Sequence, residues 1–377
     1  MTDTPPAPSE LQVAVCAACG TPAAPAARFC EECGAPLTVA SDGPPESPSA
    51  PDAAPMMSGP TRPARAGGDP QPGGGARRPC TDCGGEIDPD GYCTRCGTKA
   101  PLPRDHMVEA PQRWVAAVSD RGLRHHRNED AAATAADPAG WAALVVCDGV
   151  SSSQSSDVAS LAAARAARDV LAGGRGTGLA AGSALTALDA ARLVAAAAAA
   201  AGAVEDVTRA EHGDSPPSCT FVAAVIDGDR LTVGNVGDSR AYWLPDAGEP
   251  SVLTVDDSWA AQQIAAGTGR AEAEAGAQAH AITRWLGVDA DDQVPTLTHH
   301  RLDGAGWLLL CSDGLWNYAS EATETGRVVA RAEATTRGDP LRMAEDLVRW
   351  ANEQGGMDNI TVALARIGAR THEGDPR

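Results

Sequence analysis

W-A-A-L-V-V-C-D-G-V, Trp141 to Val150, is an apolar run that stops at Asp148-Gly149. A short apolar run closed by a turn pair reads as a buried strand. An Asp at the end of such a strand cannot stay buried as a bare charge. It must be paired, hydrogen-bonded or bound to a metal. The pattern returns as G-W-L-L-L-C-S-D-G, Gly306 to Gly314, which delivers Asp313-Gly314. Asn128-Glu129-Asp130 precedes both runs and Asp358-Asn359 follows them. Together they predict one acidic cluster. Clustered carboxylates without thiolate or imidazole favour hard divalent cations, magnesium or manganese. Taken singly, each Asp-Gly is more often an ordinary turn than a ligand.

The 377 residues allow two or three units, one with a large core. Hydrophobic residues make up 43% but aromatics only 3%, so the core must be mostly Ala, Val and Leu. The net charge is −20, with 14 acidic and 8 basic residues in positions 1–112 and the larger excess beyond them. Acidity spread this way argues against a nucleic-acid surface and for a soluble chain. The start, M-T-D-T-P-P, is not a signal peptide. The longest apolar stretch, Val194 to Val204, is too short to span a bilayer. The expectation is a cytoplasmic protein with no membrane partner. Cys147, Cys219 and Cys311 lie in apolar strands and read as small core residues.

The other eight cysteines form four C-x-x-C pairs. Cys16, Cys19, Cys30 and Cys33 make one set, and Cys80, Cys83, Cys93 and Cys96 the other, each pair followed by Gly. Four thiolates at this spacing can reach one tetrahedral zinc, and the Gly permits the turn that aims amides at sulfur. The pattern resembles the zinc-ribbon family and occurs twice. The alternatives are disulfides or a redox pair, and disulfides need an oxidising compartment. A closed four-Cys site offers no open coordination position, so two zinc ions here are structural, and the ribbons serve targeting or a protein partner.

The expected order is ribbon 1 over 13–39, a flexible Pro/Gly/Ala linker over 40–78, ribbon 2 over 79–100, a short linker over 101–112 and a main domain over 113–368. In that domain Val158 to Leu171 and Leu179 to Glu211 read as helices, as do Glu321 to Ala334 and Leu341 to Glu353. Cys219 to Ile226 and Leu231 to Asn235 read as a hairpin through Asp227-Gly228-Asp229-Arg230. Strands at both ends with helices grouped between them favour an α+β arrangement over a doubly wound parallel sheet.

In order, S-D-R-G-L from Ser119 with N-E-D-A from Asn128, V-V-C-D-G from Val145, V-G-N-V-G-D-S-R-A-Y from Val233, A-I-T-R-W-L-G from Ala281, L-L-L-C-S-D-G-L-W from Leu308 and G-G-M-D-N-I-T-V from Gly355 resemble the metal-dependent protein serine/threonine phosphatases of the type 2C class, in their bacterial form. The resemblance implies a four-layer α-β-β-α sandwich of two antiparallel sheets flanked by helices, with the ribbons outside it. It implies that Asp148 bridges two Mn or Mg ions, with the Gly149 carbonyl on one of them. Asp313 and Asp358 would hold the first ion, and Glu129 and Asp130 would serve the second, directly or through water. Asp238 would help a third, weaker site, and Asn359 would steady the last loop. The implied activity is hydrolysis of phosphoserine and phosphothreonine in proteins phosphorylated by a Ser/Thr kinase, a signalling role. Asp148 and Asp313 would be its central catalytic carboxylates.

Two positions depart from the family. Its usual phosphate-gripping Arg aligns with His125 in R-H-H-R, and V-S-S-S-Q-S-S follows Gly149. If this stretch is extended, Arg127 shares a face with position 125 and grips the phosphate, with His125 as a second donor. The alternative is a solvated basic turn. The functional alternative is a catalytically weak domain that binds phosphoproteins or acts as a scaffold.

Overall fold

The computed structural model describes residues 14–15, 22–23, 79, 83–88, 91–97, 100, 102–173, 183–269, 272–273, 275–276, 278–279 and 281–368. Cys16, Cys19, Cys30, Cys33 and Cys80 lie outside the described residues, as do the expected linker over 40–78 and His280. The chain divides into two compact units, Met1–Gly74 and Gly75–Arg377. In the first, Ala14–Val15 pairs antiparallel with Pro22–Ala23 on either side of the first Cys pair.

The second unit is built on two antiparallel sheets. The first has six strands: β1 (His106–Gln112), β2 (Val115–Asp120), β7 (Arg240–Pro245), β8 (Ser251–Val252), β10 (Gly306–Cys311) and β11 (Ile360–Ile367), in the order β8-β7-β10-β11-β2-β1. The second has five: β3 (Ala131–Ala136), β4 (Trp141–Cys147), β5 (Phe221–Asp227), β6 (Arg230–Val236) and β9 (Thr296–Arg301), in the order β9-β6-β5-β4-β3. Among the helices that accompany them are α1 (Ser156–Gly173), α2 (Ser183–Val207), α3 (Trp259–Ala265), α4 (Ala322–Thr336) and α5 (Pro340–Gln354).

Side chains alternate across a strand, and the apolar runs supply both faces. On β4, Ala142, Leu144 and Val146 meet the opposite sheet, while Trp141, Ala143, Val145 and Cys147 meet α1 and α2. On β10, Leu308 and Leu310 join the inter-sheet layer, while Trp307, Leu309 and Cys311 meet α4 and α5. These strands are therefore apolar throughout rather than alternating. Three apolar layers separate four layers of structure, the expected α-β-β-α sandwich.

β3 was not legible, because A-A-A-T-A-A is a helix-forming composition. Ladder pairing with β4 from Ala131–Cys147 to Ala136–Ala142 makes it a strand, and tertiary context overrides propensity. β9 was also missed, since T-L-T-H-H-R carries little apolar signal. The helix expected over Leu179 to Glu211 is described from Ser183 and ends at Val207. Within it Ala184–Val207 is long and apolar enough to cross a bilayer by length and composition, which corrects the estimate made from Val194 to Val204. Leu193, Ala196, Ala197, Ala200 and Val204 on this helix are nevertheless fully buried in the core layer beneath it.

The expected linker over 101–112 is the main correction. Pro103–Asp105 is a turn of 3-10 helix, and His106–Gln112 is the edge strand β1, paired to β2 from His106–Asp120 onward. The domain therefore begins at residue 102, not 113. Prolines at 101, 103 and 111 favour a linker, but β2 follows directly after the 113–114 turn and pairs back along the segment.

His106 tests this boundary. Its Nδ1 is 2.7 Å from Asp120 Oδ2. That hydrogen bond raises the imidazole pKa above its ordinary 6.5. Burial favours the proton on Asp120, but the His106 bond and the Gly122 amide together hold it below 3.8. The His106 contribution is complete below 6.5 and fades as pH rises through its folded pKa. The Asp120 contribution is complete above 3.8 and fades as pH falls through its own. Thermal unfolding of His106→Gln against the unaltered chain should thus show the largest melting-temperature gap near pH 5–6, narrowing at alkaline pH.

Candidate active site

The strand ends deliver the carboxylates. Asp148 follows β4 and Asp130 precedes β3 in one sheet, while Asp313 follows β10 and Asp358 precedes β11 in the other. Asp238 sits on the β6–β7 crossing between the sheets. Asp130 and Asp238 are buried at the floor, and Asp148, Asp313 and Asp358 are half-buried toward solvent. Asp148 is within hydrogen-bonding reach of both Asp130 and Asp313. Burial and then the charges of Asp130, Asp313, Asp358 and Asp238 push the Asp148 carboxyl well above its usual range. Burial raises Asp130 to about 6, although Ser312 donates to it, and raises Asp238 to about 7. Asp313 is raised by burial, Asp358 and Asp238. Like charges this close cannot all ionise without a cation among them. The set is all oxygen, and the buried Oδ1 of Asp130 has no hydrogen-bond partner. Both features fit hard divalent ions.

Close backbone approach holds the acidic loops together. A Cβ on Gly314 would lie 2.0 Å from the Asn359 carbonyl oxygen, and one on Gly149 would lie 2.6 Å from that of Glu129. Gly122, at φ +71°, meets the Asp358 carbonyl at 2.1 Å in the same way. Asn359 is the clamp. Its Oδ1 accepts from the Glu129 amide at 2.7 Å, and its Nδ2 donates to the carbonyls of Arg121 and Arg127 at 2.8 and 3.1 Å. Its expected steadying role is seen in these bonds.

Other positioning groups carried no sequence signal beyond being polar in apolar strands. Ser312 Oγ donates to Asp130 Oδ2 at 2.6 Å. Thr220 Oγ1 accepts from the Asp148 amide at 3.0 Å and lies 2.7 Å from Ser239 Oγ. Trp316 Nε1 donates to the Asp238 carbonyl at 3.0 Å, so Trp316 steadies the floor. Arg240 stacks 3.7 Å over Trp316 and pairs with Asp256 at 2.6 Å. Arg284 pairs with Asp257 at 3.1 Å and Asp292 at 3.0 Å, an ion-pair role.

The reading of R-H-H-R as an extended phosphate grip needs correction. Residues 122–127 form turns, so the shared strand face proposed for His125 and Arg127 does not exist. His125 turns inward, with Nε2 3.1 Å from Asp358 Oδ1, and that bond raises its pKa. Arg127 instead bonds Glu129 Oε1 at 2.5 Å and stays half exposed at the rim. Glu129 Oε1 takes Arg127 and the Ser156 hydroxyl at 2.6 Å, which fixes this side chain beside Asp130 in the loop.

The second ribbon shows the other metal chemistry. Cys83 Sγ lies 3.4 Å from Cys93 Sγ and 3.3 Å from Cys96 Sγ. Among the described residues these three thiols are the group with all ligand atoms within 4.8 Å. A tetrahedral cage with ~2.3 Å bonds has edges of ~3.8 Å, close to this spacing. One thiol flanked equally by two others is a shared ligand sphere and not a disulfide. Gly84 and Gly97, each just after a Cys, take φ +70° and +75°, the knuckle turns expected there. The Cys96 and Arg95 amides lower the Cys93 pKa, which favours the thiolate.

Residues 122–352, more than half of the chain, match the protein phosphatase 2C family. The chain belongs to the protein phosphatase 2C family. Residues 16–97 match the double zinc ribbon family. Over 151 residues this phosphatase 2C chain is 34% identical to the serine/threonine protein phosphatase PstP of Mycobacterium tuberculosis, covering 39% of this chain and 27% of that one. Over 148 residues it is 38% identical to the protein phosphatase PhpP of Streptococcus pneumoniae, covering 39% and 56%. The match thus spans about half or less of these relatives' length. The solved Mycobacterium tuberculosis serine/threonine phosphatase PstP/Ppp superposes with TM-score 0.53 at 29% identity, covering 69% of this chain and 99% of that one.

Replacing one central carboxylate removes charge from a repelling cluster. Asp148→Asn or Asp313→Asn should therefore keep or raise the metal-free melting temperature. Both should weaken manganese binding, measured by calorimetry, at least by the roughly 10–100-fold that even outer-shell changes cost. For the ribbons, elemental analysis of purified chain should find two zinc ions, and Cys83→Ser should lose one.

Proposed function

We propose that this chain is a metal-dependent phosphoprotein phosphatase that hydrolyses phosphoserine and phosphothreonine in substrates of a Ser/Thr kinase. The observation that carries this is the convergence of Asp130, Asp148, Asp238, Asp313 and Asp358 from both sheets on one half-open cleft. Manganese or magnesium bound there would supply an activated water and neutralise charge on the phosphoryl oxygens. Asp130, Asp148, Asp313 and Asp358 would hold two ions with the Gly149 carbonyl, Glu129 would serve the second directly or through water, and Asp238 would help a third, weaker site. Phosphoryl transfer needs positioning and charge more than covalent chemistry, and the glycine-locked loops provide positioning. His125 and Arg127, paired with Asp358 and Glu129, brace the loop that carries Asp130.

The zinc ribbons, of which the second gathers Cys83, Cys93 and Cys96, are proposed as targeting or protein-binding modules. Thiol-rich ribbons and three unbridged core cysteines suit a reducing, cytoplasmic setting. A weakened domain that binds phosphoproteins is the alternative. It is supported by His125 in place of the family's Arg and by Val150 after Gly149.

The test is release of phosphate from a phosphothreonine peptide. Manganese should support turnover, and a chelator should abolish it and manganese restore it. Tight phosphopeptide binding with no manganese-dependent release would favour the binding module.

A further inference from the structure

One half-buried cation lies close to the acidic cluster yet has no part in the chemistry above. Arg104 belongs to the Pro103–Asp105 turn, which follows the second ribbon after two residues beyond Ala100. Its guanidinium is folded inward instead of extending into water. Nη2 donates to the Asp157 carbonyl at 2.9 Å and to Ser160 Oγ at 3.0 Å, both on the first turns of α1. Nη1 lies 3.2 Å from Met107 Sδ. The Ser160 hydroxyl passes the contact on by donating to the Glu129 carbonyl.

The backbone of the same turn reaches the same loop. The Arg104 carbonyl accepts from Asn128 Nδ2 at 3.2 Å, and Asn128 Oδ1 accepts from the Asp130 amide at 3.2 Å. The Asp105 carbonyl accepts from the Arg121 amide at 2.8 Å. The turn itself is closed, with Asp105 Oδ2 accepting from the Leu102 amide at 2.8 Å. The loop from Arg121 to Asp130 is therefore held at both ends by a four-residue segment. The charges facing Arg104 are Asp130 and Asp157, which favour its cation, and Arg165, which opposes it.

We propose that Arg104 is a positioning residue for the metal loop, setting the Glu129 carbonyl through Ser160 and the Asp130 amide through Asn128, and so tuning the affinity of the cluster for divalent cations. The inference rests on the phosphatase reading of that cluster. A purely structural Arg104 would only stitch the turn to α1. Its loss would then lower melting temperature and leave metal affinity alone. A positioning Arg104 does the reverse. It also makes the junction between ribbon and enzyme part of the site, because the segment that leaves the ribbon is the one that holds the loop.

The experiment uses the full chain with its zinc retained. Manganese binding is titrated by calorimetry for the unaltered chain, Arg104→Ala, Arg104→Lys and Ser160→Ala, alongside metal-free melting temperature and turnover of a phosphothreonine peptide across manganese concentrations. Arg104→Ala should bind manganese roughly 10–100-fold more weakly. Its turnover should recover at saturating manganese, its KM for peptide should hold, and its metal-free melting temperature should change little. Arg104→Lys keeps the charge and should restore part of the affinity. Ser160→Ala removes the hydroxyl that joins Arg104 to the Glu129 carbonyl, leaves the Arg104–Asp157 contact, and should weaken manganese binding in the same direction. Manganese affinity in folded Arg104→Ala indistinguishable from the unaltered chain overturns the proposal. If Arg104→Ala does not fold, unchanged affinity in Ser160→Ala overturns it instead. An unaltered chain that binds no manganese overturns the phosphatase reading, an outcome separate from equal binding by both.

Discussion

Mutual repulsion among five aspartates is the constraint on which this structure turns. Left to itself the cluster would spread or take up protons, and the raised Asp130, Asp148, Asp238 and Asp313 carboxyls record that pressure. Two things oppose it. The carboxylates hang from the ends of paired strands in two sheets that share a fully apolar interface, so they cannot retreat without breaking ladders. Their loops are also sewn together by contacts so close that Gly149 and Gly314 admit no side chain. The protein thus spends folding stability to keep a strong field open to solvent on one side, which is the condition for drawing in small, hard cations.

An alanine-rich interior makes this rigidity possible with few aromatics. Ala159, Ala163, Ala164 and Ala167 on α1 face Ala196, Ala197 and Ala200 on α2 within one buried layer. Small side chains let helices approach closely and leave few rotamers to fix, so burial costs little side-chain entropy. The larger residues are placed where layers need depth, as with Tyr242, Phe221 and the leucines of β10.

Two metal chemistries coexist because their ligands are sorted by softness. Thiolates are confined to the ribbons, where a closed set suits zinc, while the cysteines near the aspartates are buried as apolar groups. Burial pushes Cys147 and Cys311 up, which keeps them thiols and removes them as ligands. The aspartates then face no soft competitor within their own cleft.

The acidic cluster was legible because its signal is local: apolar runs that stop at Asp148-Gly149 and Asp313-Gly314 have no good burial for the charge other than a shared site. The knuckle glycines after Cys83 and Cys96 were legible for the same reason, since each turn is set within five residues. What local sequence could not decide was pairing. A-A-A-T-A-A became β3 only because β4 lay beside it, and His106–Gln112 became an edge strand only because β2 offered free hydrogen bonds. Nor could it tell which side chains of R-H-H-R-N-E-D face the cleft. That loop turns because Asn359, some 230 residues away, captures the Glu129 amide and the Arg127 carbonyl, which sends His125 inward and ties Arg127 to Glu129. The composition and spacing of this chain determine its metals and its layers; the direction of each donor within the site is decided by hydrogen bonds between residues that only the tertiary fold brings together.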